Sequence, residues 1–360
     1  MRQRKTIRNR RSMLKLLGLA AVGATAGVVT GRVIDVAGNG EGAGAGGADG
    51  AGGTAGTSAG NSAGSAAMSG RSQPPSITRA PDMRPVLLDS ASPSRLRMAY
   101  GPDPRQFGDL HLPPELVEGA PDELPPAASR PIPLVVMIHG GGWMDSSTLD
   151  NASHQADDLA AAGVAVWNIE YRGTGGAGGW PRTYQDVAAA IDAIPHVAGL
   201  STVPLDLGRV AVTGVSAGGS LAAWAANRSA LPDGAPGADP VLPIRNCVAM
   251  CGVYDLARAF RWGDPFIRPL LGGTPEQFPD RYRHTGPIAR FAPGVRTVIL
   301  HGRNDTVVEV QQAISYEAAA RRARRPVVMR LFDDASHGSW GDLAGPQWRA
   351  AKDALLGLLR

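Results

Sequence analysis

The chain has 360 residues and a formal charge of +4, a length that suits one large or two ordinary domains. Positions 1–15 contain seven basic residues and no acidic one, and removing those seven charges from +4 leaves −3 for the rest. The basic character therefore belongs to the N-terminus, and the charge gives no reason to expect a nucleic-acid partner.

Positions 1–36 are organised like an export signal. The basic stretch is followed by a weakly apolar run over residues 16–29, and residues 9–15 (Asn-Arg-Arg-Ser-Met-Leu-Lys) resemble the twin-arginine signal. The resemblance implies export by the twin-arginine machinery to the periplasm, the extracellular space or the outer face of the inner membrane. A basic binding tail and an uncleaved anchor are the alternatives, and membrane contact is expected only through this leader.

Residues 37–75 are nearly all small or polar, with Gly, Ala and Ser dominant. Such a composition cannot bury enough apolar surface to offset the entropy of ordering, so it predicts a disordered linker. The folded domain is expected over 76–360, with its motifs from about residue 95 onward.

Short apolar runs alternate with helical patterns in this domain. Strands are predicted at 134–139, 164–169, 210–213, 248–250, 297–301 and 327–331, and helices at 184–197, 217–227 and 311–324. This alternation predicts an α/β fold with a mostly parallel sheet covered by helices on both faces. Functional loops are then expected at the carboxyl ends of the strands.

The loop His139-Gly140-Gly141-Gly142-Trp143 follows the first of these strands. Three glycines leave backbone N–H groups unobstructed, which predicts an oxyanion loop that acts together with the N–H of Ala217, the residue after the candidate nucleophile. A glycine-rich turn without a catalytic role is the alternative.

The segment Gly214-Val215-Ser216-Ala217-Gly218 has the G-x-S-x-G pattern of a nucleophile elbow, in which a strand turns sharply into a helix and presents a serine hydroxyl. Taken alone the pattern is ambiguous, because a chain with 47 glycines can produce it as an ordinary strand–helix turn.

Two cysteines, Cys247 and Cys251, lie four residues apart in an apolar run. On a strand they would share a face at about 13 Å, beyond the reach of a disulfide. Buried free thiols are expected, and no metal site is predicted because the sequence shows no further ligands beside them.

Residues 258–293 interrupt the alternation with a proline- and aromatic-rich insertion. A connection of this length predicts a lid or pocket wall, and a decorated loop is the alternative.

A base and an orienting acid are expected near the last two strands. His337 follows the last strand and is the predicted base, while Asp305 follows the next-to-last strand and is the predicted acid. Asp255, after the preceding strand, competes for the acid's role. Asp333 and Asp334 are interpreted as solvated loop carboxylates.

From about residue 95 to the C-terminus, the chain resembles the α/β-hydrolases of the esterase/lipase group, close to the BD-FAE-like and kynurenine-formamidase-like esterases. The likeness rests on the segments Tyr100–Gln106, His139–Trp143, Glu170–Arg172, Gly179–Pro181, Gly214–Gly219, Leu271–Pro275, His301–Asp305 and His337–Gly338. It implies an α/β-hydrolase fold with an insertion after the sixth strand, a triad of Ser216, Asp305 and His337, and oxyanion donors at Gly141, Gly142 and Ala217. Val215 departs from the His or Ser of many relatives at a position that is not catalytic.

These observations predict an exported serine hydrolase without metal or organic cofactor, acting on small-molecule esters through an acyl-enzyme. Hydrolysis of an amide, formamide or peptide with the same triad is the first alternative. A catalytically silent binding protein on a hydrolase scaffold is the second.

Overall fold

A computed structural model describes residues 85–117 and 130–360. The predicted export signal at 1–36 and linker at 37–75 lie outside the described residues, as does the expected start of the folded domain at residue 76. None of the helices in the described ranges is long and apolar enough to cross a membrane.

The described strands form one sheet of nine in the order β1-β2-β3-β5-β4-β6-β7-β8-β9. Their bounds are β1 (Val86–Ser92), β2 (Arg95–Ala99), β3 (Phe107–His111), β4 (Ile132–Ile138), β5 (Ala165–Ile169), β6 (Leu205–Val215), β7 (Asn246–Met250), β8 (Arg296–Gly302) and β9 (Val327–Phe332). Strands β4 to β9 are parallel, whereas β1, β2 and β3 join one edge in antiparallel pairs. The six predicted strands are confirmed as the parallel part of this sheet.

Helices cover both faces of the sheet. Their bounds are α1 (Pro114–Val117), α2 (Asp150–Ala160), α3 (Arg182–Asp192), α4 (Ile194–Leu200), α5 (Ala217–Ala226), α6 (Leu256–Trp262), α7 (Ile267–Leu271), α8 (Pro279–Thr285), α9 (Gln311–Arg322) and α10 (Pro346–Leu358). Short 3-10 turns occupy Arg228–Ala230, Pro287–Ala289 and His337–Gly341.

The core has two parts because side chains alternate between the two faces of each strand. Along β4, Leu134, Val136 and Ile138 join the cluster that α3, α5 and α9 cover, while Val135 and Met137 join the cluster under α2 and α10. Each fully buried side chain of this kind stabilises the fold by roughly 1.5–3 kcal/mol. The buried strands therefore hold their carboxyl-end loops on a rigid frame.

Two predictions about elements need correction. The helix predicted at 184–197 is divided into α3 and α4, because Pro195 has no N–H to continue the ladder of hydrogen bonds. The insertion follows β7, which is the seventh strand in chain order rather than the sixth.

The cysteine pair is also arranged differently from the prediction. Both cysteines are buried and free, as expected, but Cys247 packs in one core cluster and Cys251 in the other. The reason is that β7 ends at Met250 and Cys251 has φ = +40°. The strand alternation that would put both side chains on one face therefore does not extend to Cys251.

Candidate active site

Ser216 lies at the junction of β6 and α5. Its backbone has φ = 58° and ψ = −120°, a conformation that L-residues rarely adopt and that stores strain. The N–H of Ser216 donates to the carbonyl of Met250 (2.9 Å), and its carbonyl accepts from Ser220 (3.0 Å). The junction thus holds the serine at the apex of a sharp turn, where its side chain is half-buried.

Glycine is required before and after Ser216 because the backbone segments around this turn approach one another closely. A Cβ on Gly214 would lie 2.5 Å from the carbonyl oxygen of Gly218, and a Cβ on Gly218 would overlap the carbonyl of Ile138. Real Cβ atoms do not approach backbone so closely. The two glycines therefore let β4, β6 and α5 converge behind Ser216.

Asp305 and His337 are in direct contact. Nδ1 of His337 is 2.7 Å from Oδ2 of Asp305, while Oδ1 of Asp305 accepts from the N–H groups of Val307 (2.9 Å) and Val308 (2.8 Å). An ionised carboxylate can only accept, so Nδ1 of the imidazole carries the proton and Nε2 is left as the acceptor. This is the tautomer that a general base needs.

The surroundings of His337 change its pKa. Burial lowers the pKa of the imidazole, but negative charge on its neighbours, the Cys251 sulfur when ionised and the hydrogen-bonded Asp305 carboxylate, more than offsets this and raises it above its ordinary value of 6.5. In the structure no hydrogen bond joins Ser216 to His337, although both residues are described. Such bonds are often long in enzymes without substrate and tighten when substrate binds.

The glycine loop after β4 lies against the serine. A Cβ on Gly140 would be 3.5 Å from the Cβ of Ser216, and Gly141 and Gly142 have φ of +108° and +65°. Among the described residues, the N–H groups of Gly141 and Gly142 have no acceptor. The N–H of Ala217 opens α5 and has no partner within that helix. These three N–H groups thus lie on the two segments that adjoin the serine, the glycine loop and the first turn of α5.

A buried ionic network anchors this loop. Nε2 of His139 is 2.9 Å from Oε1 of Glu170, and the His139 ring stacks on Tyr171 at 4.2 Å between centroids. Burial alone would raise the pKa of Glu170, but its hydrogen bonds to His139 and to backbone N–H groups outweigh this and lower it. Arg105 adds a contact of 3.1 Å to the same carboxylate. His139 therefore positions the loop.

Asp255, the competing acid, has a different role. It is the N-cap of α6 and accepts a hydrogen bond of 2.9 Å from the N–H of Arg258. The side-chain amide of Gln312 accepts from the backbone N–H of Asp255 and donates to its carbonyl. The structure brings Asp305, not Asp255, into contact with His337.

The insertion over 258–293 contains most of α6, together with α7 and α8, and reaches the glycine loop. The ring of Phe266 lies so close to the glycine loop that a Cβ on Gly142 would be 2.9 Å from it. The N–H of Trp180 donates to the carbonyl of Leu270 (2.7 Å). The N–H of Phe266 donates to Asp264 (2.9 Å), and burial raises the pKa of Asp264 to about 6. The insertion thus forms a wall beside the predicted oxyanion donors.

Three features of this site were missed at the level of sequence. Glu170 was identified from the sequence only as part of a segment that carries the family resemblance. An acidic residue directly after an apolar strand can indicate a buried polar network, because a buried carboxylate needs hydrogen-bond partners. Asp264 had no motif around it. Cys251 has its sulfur within 4.8 Å of ligand atoms of Asp305 and His337, a proximity that depends on the positive φ beyond β7.

Comparison with known proteins relates this chain to proteins named as esterases. A family model described as BD-FAE matches residues 123–319. Esterase LipC of Mycobacterium tuberculosis is 28% identical over 278 residues, which are 73% of this chain and 64% of LipC. The protein named Probable carboxylic ester hydrolase LipM, from the same organism, is 30% identical over 62% of this chain and 52% of its own length. The chain therefore spans less than two thirds of either relative.

Solved structures share the fold. The esterase 2 of Thermogutta terrifontis, phosphoramylated by tabun, aligns with a TM-score of 0.57 over 74% of this chain and 94% of its own, at 20% identity. The mostly parallel sheet with helices on both faces is the α/β-hydrolase fold, as predicted.

Proposed function

The chain belongs to the BD-FAE family, and we propose that it is a carboxylesterase that works by acyl transfer through Ser216, His337 and Asp305. The proposal rests above all on one observation: a 2.7 Å contact between His337 and Asp305 on the same sheet edge as a serine in a strained turn. Relatives named as esterases support the same class of substrate.

Acylation uses the groups at the carboxyl ends of β4, β6, β8 and β9. Nε2 of His337 takes the proton from the Ser216 hydroxyl as Oγ bonds to the ester carbonyl carbon. The carbonyl oxygen becomes an oxyanion, which the N–H groups of Gly141, Gly142 and Ala217 stabilise. His337 then gives its proton to the departing alcohol oxygen, leaving an acyl-serine.

Deacylation repeats these steps with water. His337 takes a proton from water, the hydroxide oxygen attacks the acyl carbon, and the proton returns to Ser216 as the acid leaves. Asp305 stays ionised throughout and stabilises the imidazolium. Every step uses a group of this chain or water.

The test is hydrolysis of p-nitrophenyl acetate and butyrate by the full chain and by Ser216→Ala. We expect kcat to fall at least about 1,000-fold in the variant, since loss of the nucleophile leaves only the oxyanion donors and binding. Ser220→Ala is the matched control, because Ser220 is buried one turn into α5. Equal hydrolysis by the full chain and Ser216→Ala would overturn the assignment.

A fluorophosphonate probe separates the proposal from a silent binding protein without knowledge of the substrate. It should label the full chain and Ser220→Ala but not Ser216→Ala. Parallel assays with p-nitroacetanilide compare amide with ester cleavage, and a higher rate on the amide would contradict the choice of ester.

A further inference from the structure

Cys251 is a buried thiol next to the predicted acid–base pair. It is fully buried, and its N–H donates to Leu300 (2.8 Å) on β8. Its sulfur, a carboxylate oxygen of Asp305 and a ring nitrogen of His337 all lie within 4.8 Å of one another. The catalytic cycle proposed above has no use for this thiol.

The three groups are a ligand set for a soft divalent cation. Thiolate, imidazole and carboxylate are the donors that zinc takes in proteins, and three protein ligands leave a fourth position for water. Tetrahedral bonding would place the donor atoms roughly 3.3–3.7 Å apart. The contact of 2.7 Å between Asp305 and His337 must open, and the sulfur, which lies within 4.8 Å of both, must approach by roughly 1.5 Å at most.

The neighbours of these ligands favour such a site. Oδ1 of Asp305 is held by the N–H groups of Val307 and Val308, so Oδ2 is oriented toward the other two donors. Fixed outer contacts of this kind strengthen metal binding. The side chain of His337 is 16% exposed and Ser216 beside it in the proposed mechanism is half-buried, so the imidazole is the ligand that solvent reaches.

We propose that Cys251, Asp305 and His337 form an inhibitory site for Zn²⁺ or Cd²⁺. Binding forms a metal–sulfur bond and releases the thiol proton to water, while the imidazole keeps one proton. A cation on Nδ1 moves that proton to Nε2, and a cation on Nε2 occupies that nitrogen directly. In either case Nε2 cannot accept the proton of Ser216, and hydrolysis stops until a chelator removes the metal.

The inhibition rests on the esterase activity proposed above, but the binding does not. Titration of the full chain with CdCl₂ should produce a near-ultraviolet thiolate-to-cadmium charge-transfer band that saturates at one equivalent. This readout remains valid if the chain hydrolyses no ester. Absence of the band at saturating Cd²⁺ would overturn the metal site alone, whereas a band without ester hydrolysis would contradict only the proposed function.

The chain supplies a matched control in Cys247, which is also buried and free but packs on the other face of the sheet. Cys247→Ala should keep the band and the inhibition, whereas Cys251→Ala should lose the band and raise the half-inhibitory Zn²⁺ concentration about 100-fold or more. Addition of EDTA should restore hydrolysis by the full chain. Unchanged inhibition of Cys251→Ala would place the metal elsewhere and overturn the proposal. If Cys251→Ala does not fold, the same measurements are made with Cys251→Ser, which preserves the size of the side chain.

Discussion

The two oxygens of Asp305 have different partners, and this makes Asp305→Asn a sharp test of the acid. Two backbone N–H groups will hold the amide oxygen where Oδ1 now lies, so the amide NH₂ must face Nδ1 of His337. Nδ1 then becomes the acceptor and Nε2 carries the proton, which is the wrong tautomer for a base. We expect kcat to fall about 1,000- to 10,000-fold with little change in KM, measured with p-nitrophenyl butyrate.

Asp255→Asn is the control for that prediction. Asparagine caps a helix about as well as aspartate, so α6 and its hydrogen bond from Arg258 should be retained, together with the activity. A larger loss of kcat in Asp255→Asn than in Asp305→Asn would show that the acid was assigned to the wrong loop.

Asp264 should make the stability depend on pH. Burial raises its pKa from 3.8 to about 6 in the folded chain, so between these pH values the unfolded chain has released a proton that the folded chain retains. The free energy of unfolding therefore decreases as pH rises through this window, by about 3 kcal/mol for this group. Asp264→Asn keeps an acceptor for the N–H of Phe266 and should remove this loss.

The measurement is urea unfolding of both proteins at pH 4 and pH 8. Asp264→Asn should gain about 3 kcal/mol over the parent chain at pH 8 and little at pH 4. A gain of the same size at both pH values would show that the buried charge is not its cause.

At the scale of elements, the elbow requires glycine for space. A Cβ on Gly218 would overlap the carbonyl of Ile138 and lie 2.7 Å from that of His139, so α5 must move away from β4. We expect Gly218→Ala to lose about 3 kcal/mol in the free energy of unfolding and most of its activity. Thermal melts and p-nitrophenyl butyrate assays measure both effects.

Gly199→Ala is the matched control for this overlap. Gly199 lies exposed in α4 with open space at its Cβ position, and alanine in a helix gains up to about 1 kcal/mol over glycine. The control should therefore unfold at the same or a higher temperature. If both variants lost stability equally, the loss could not be assigned to the overlap with β4.

Sequence patterns predicted the parallel strands better than the antiparallel edge of the sheet. Strands β4 to β9 are mostly apolar and could be predicted, whereas β2 alternates charged with apolar residues in Arg95–Ala99 and was missed. Helix α2 was missed because its residues are mostly polar. The helices of the insertion are short, and their position depends on tertiary contacts such as that of Phe266 with the glycine loop.

For the whole molecule, the fold class could be predicted but the neighbours of each strand could not. Alternating apolar runs and helices imply a parallel sheet. No local sequence pattern, however, indicates that β5 lies between β3 and β4 in that sheet. Ser216, Asp305 and His337 could be predicted as a group because each follows a strand whose carboxyl end meets the same edge, and the structure brings Asp305 and His337 into contact. Cys251 could not, since its approach to His337 requires one residue with positive φ and the packing of a second core cluster.

Export of the whole chain is expected to depend on the pair Arg10 and Arg11. A twin-arginine signal is recognised by a receptor and directs the export of proteins that are already folded. Cys247 and Cys251 would then be buried before they reach an oxidising compartment. The double variant Arg10→Lys, Arg11→Lys keeps the charge but loses both guanidinium groups. Immunoblots of bacterial cell fractions should find it in the cytoplasm, whereas Arg2→Lys, Arg4→Lys, outside the motif, should still be exported. Export of both variants, or loss of export in both, would contradict recognition of the arginine pair.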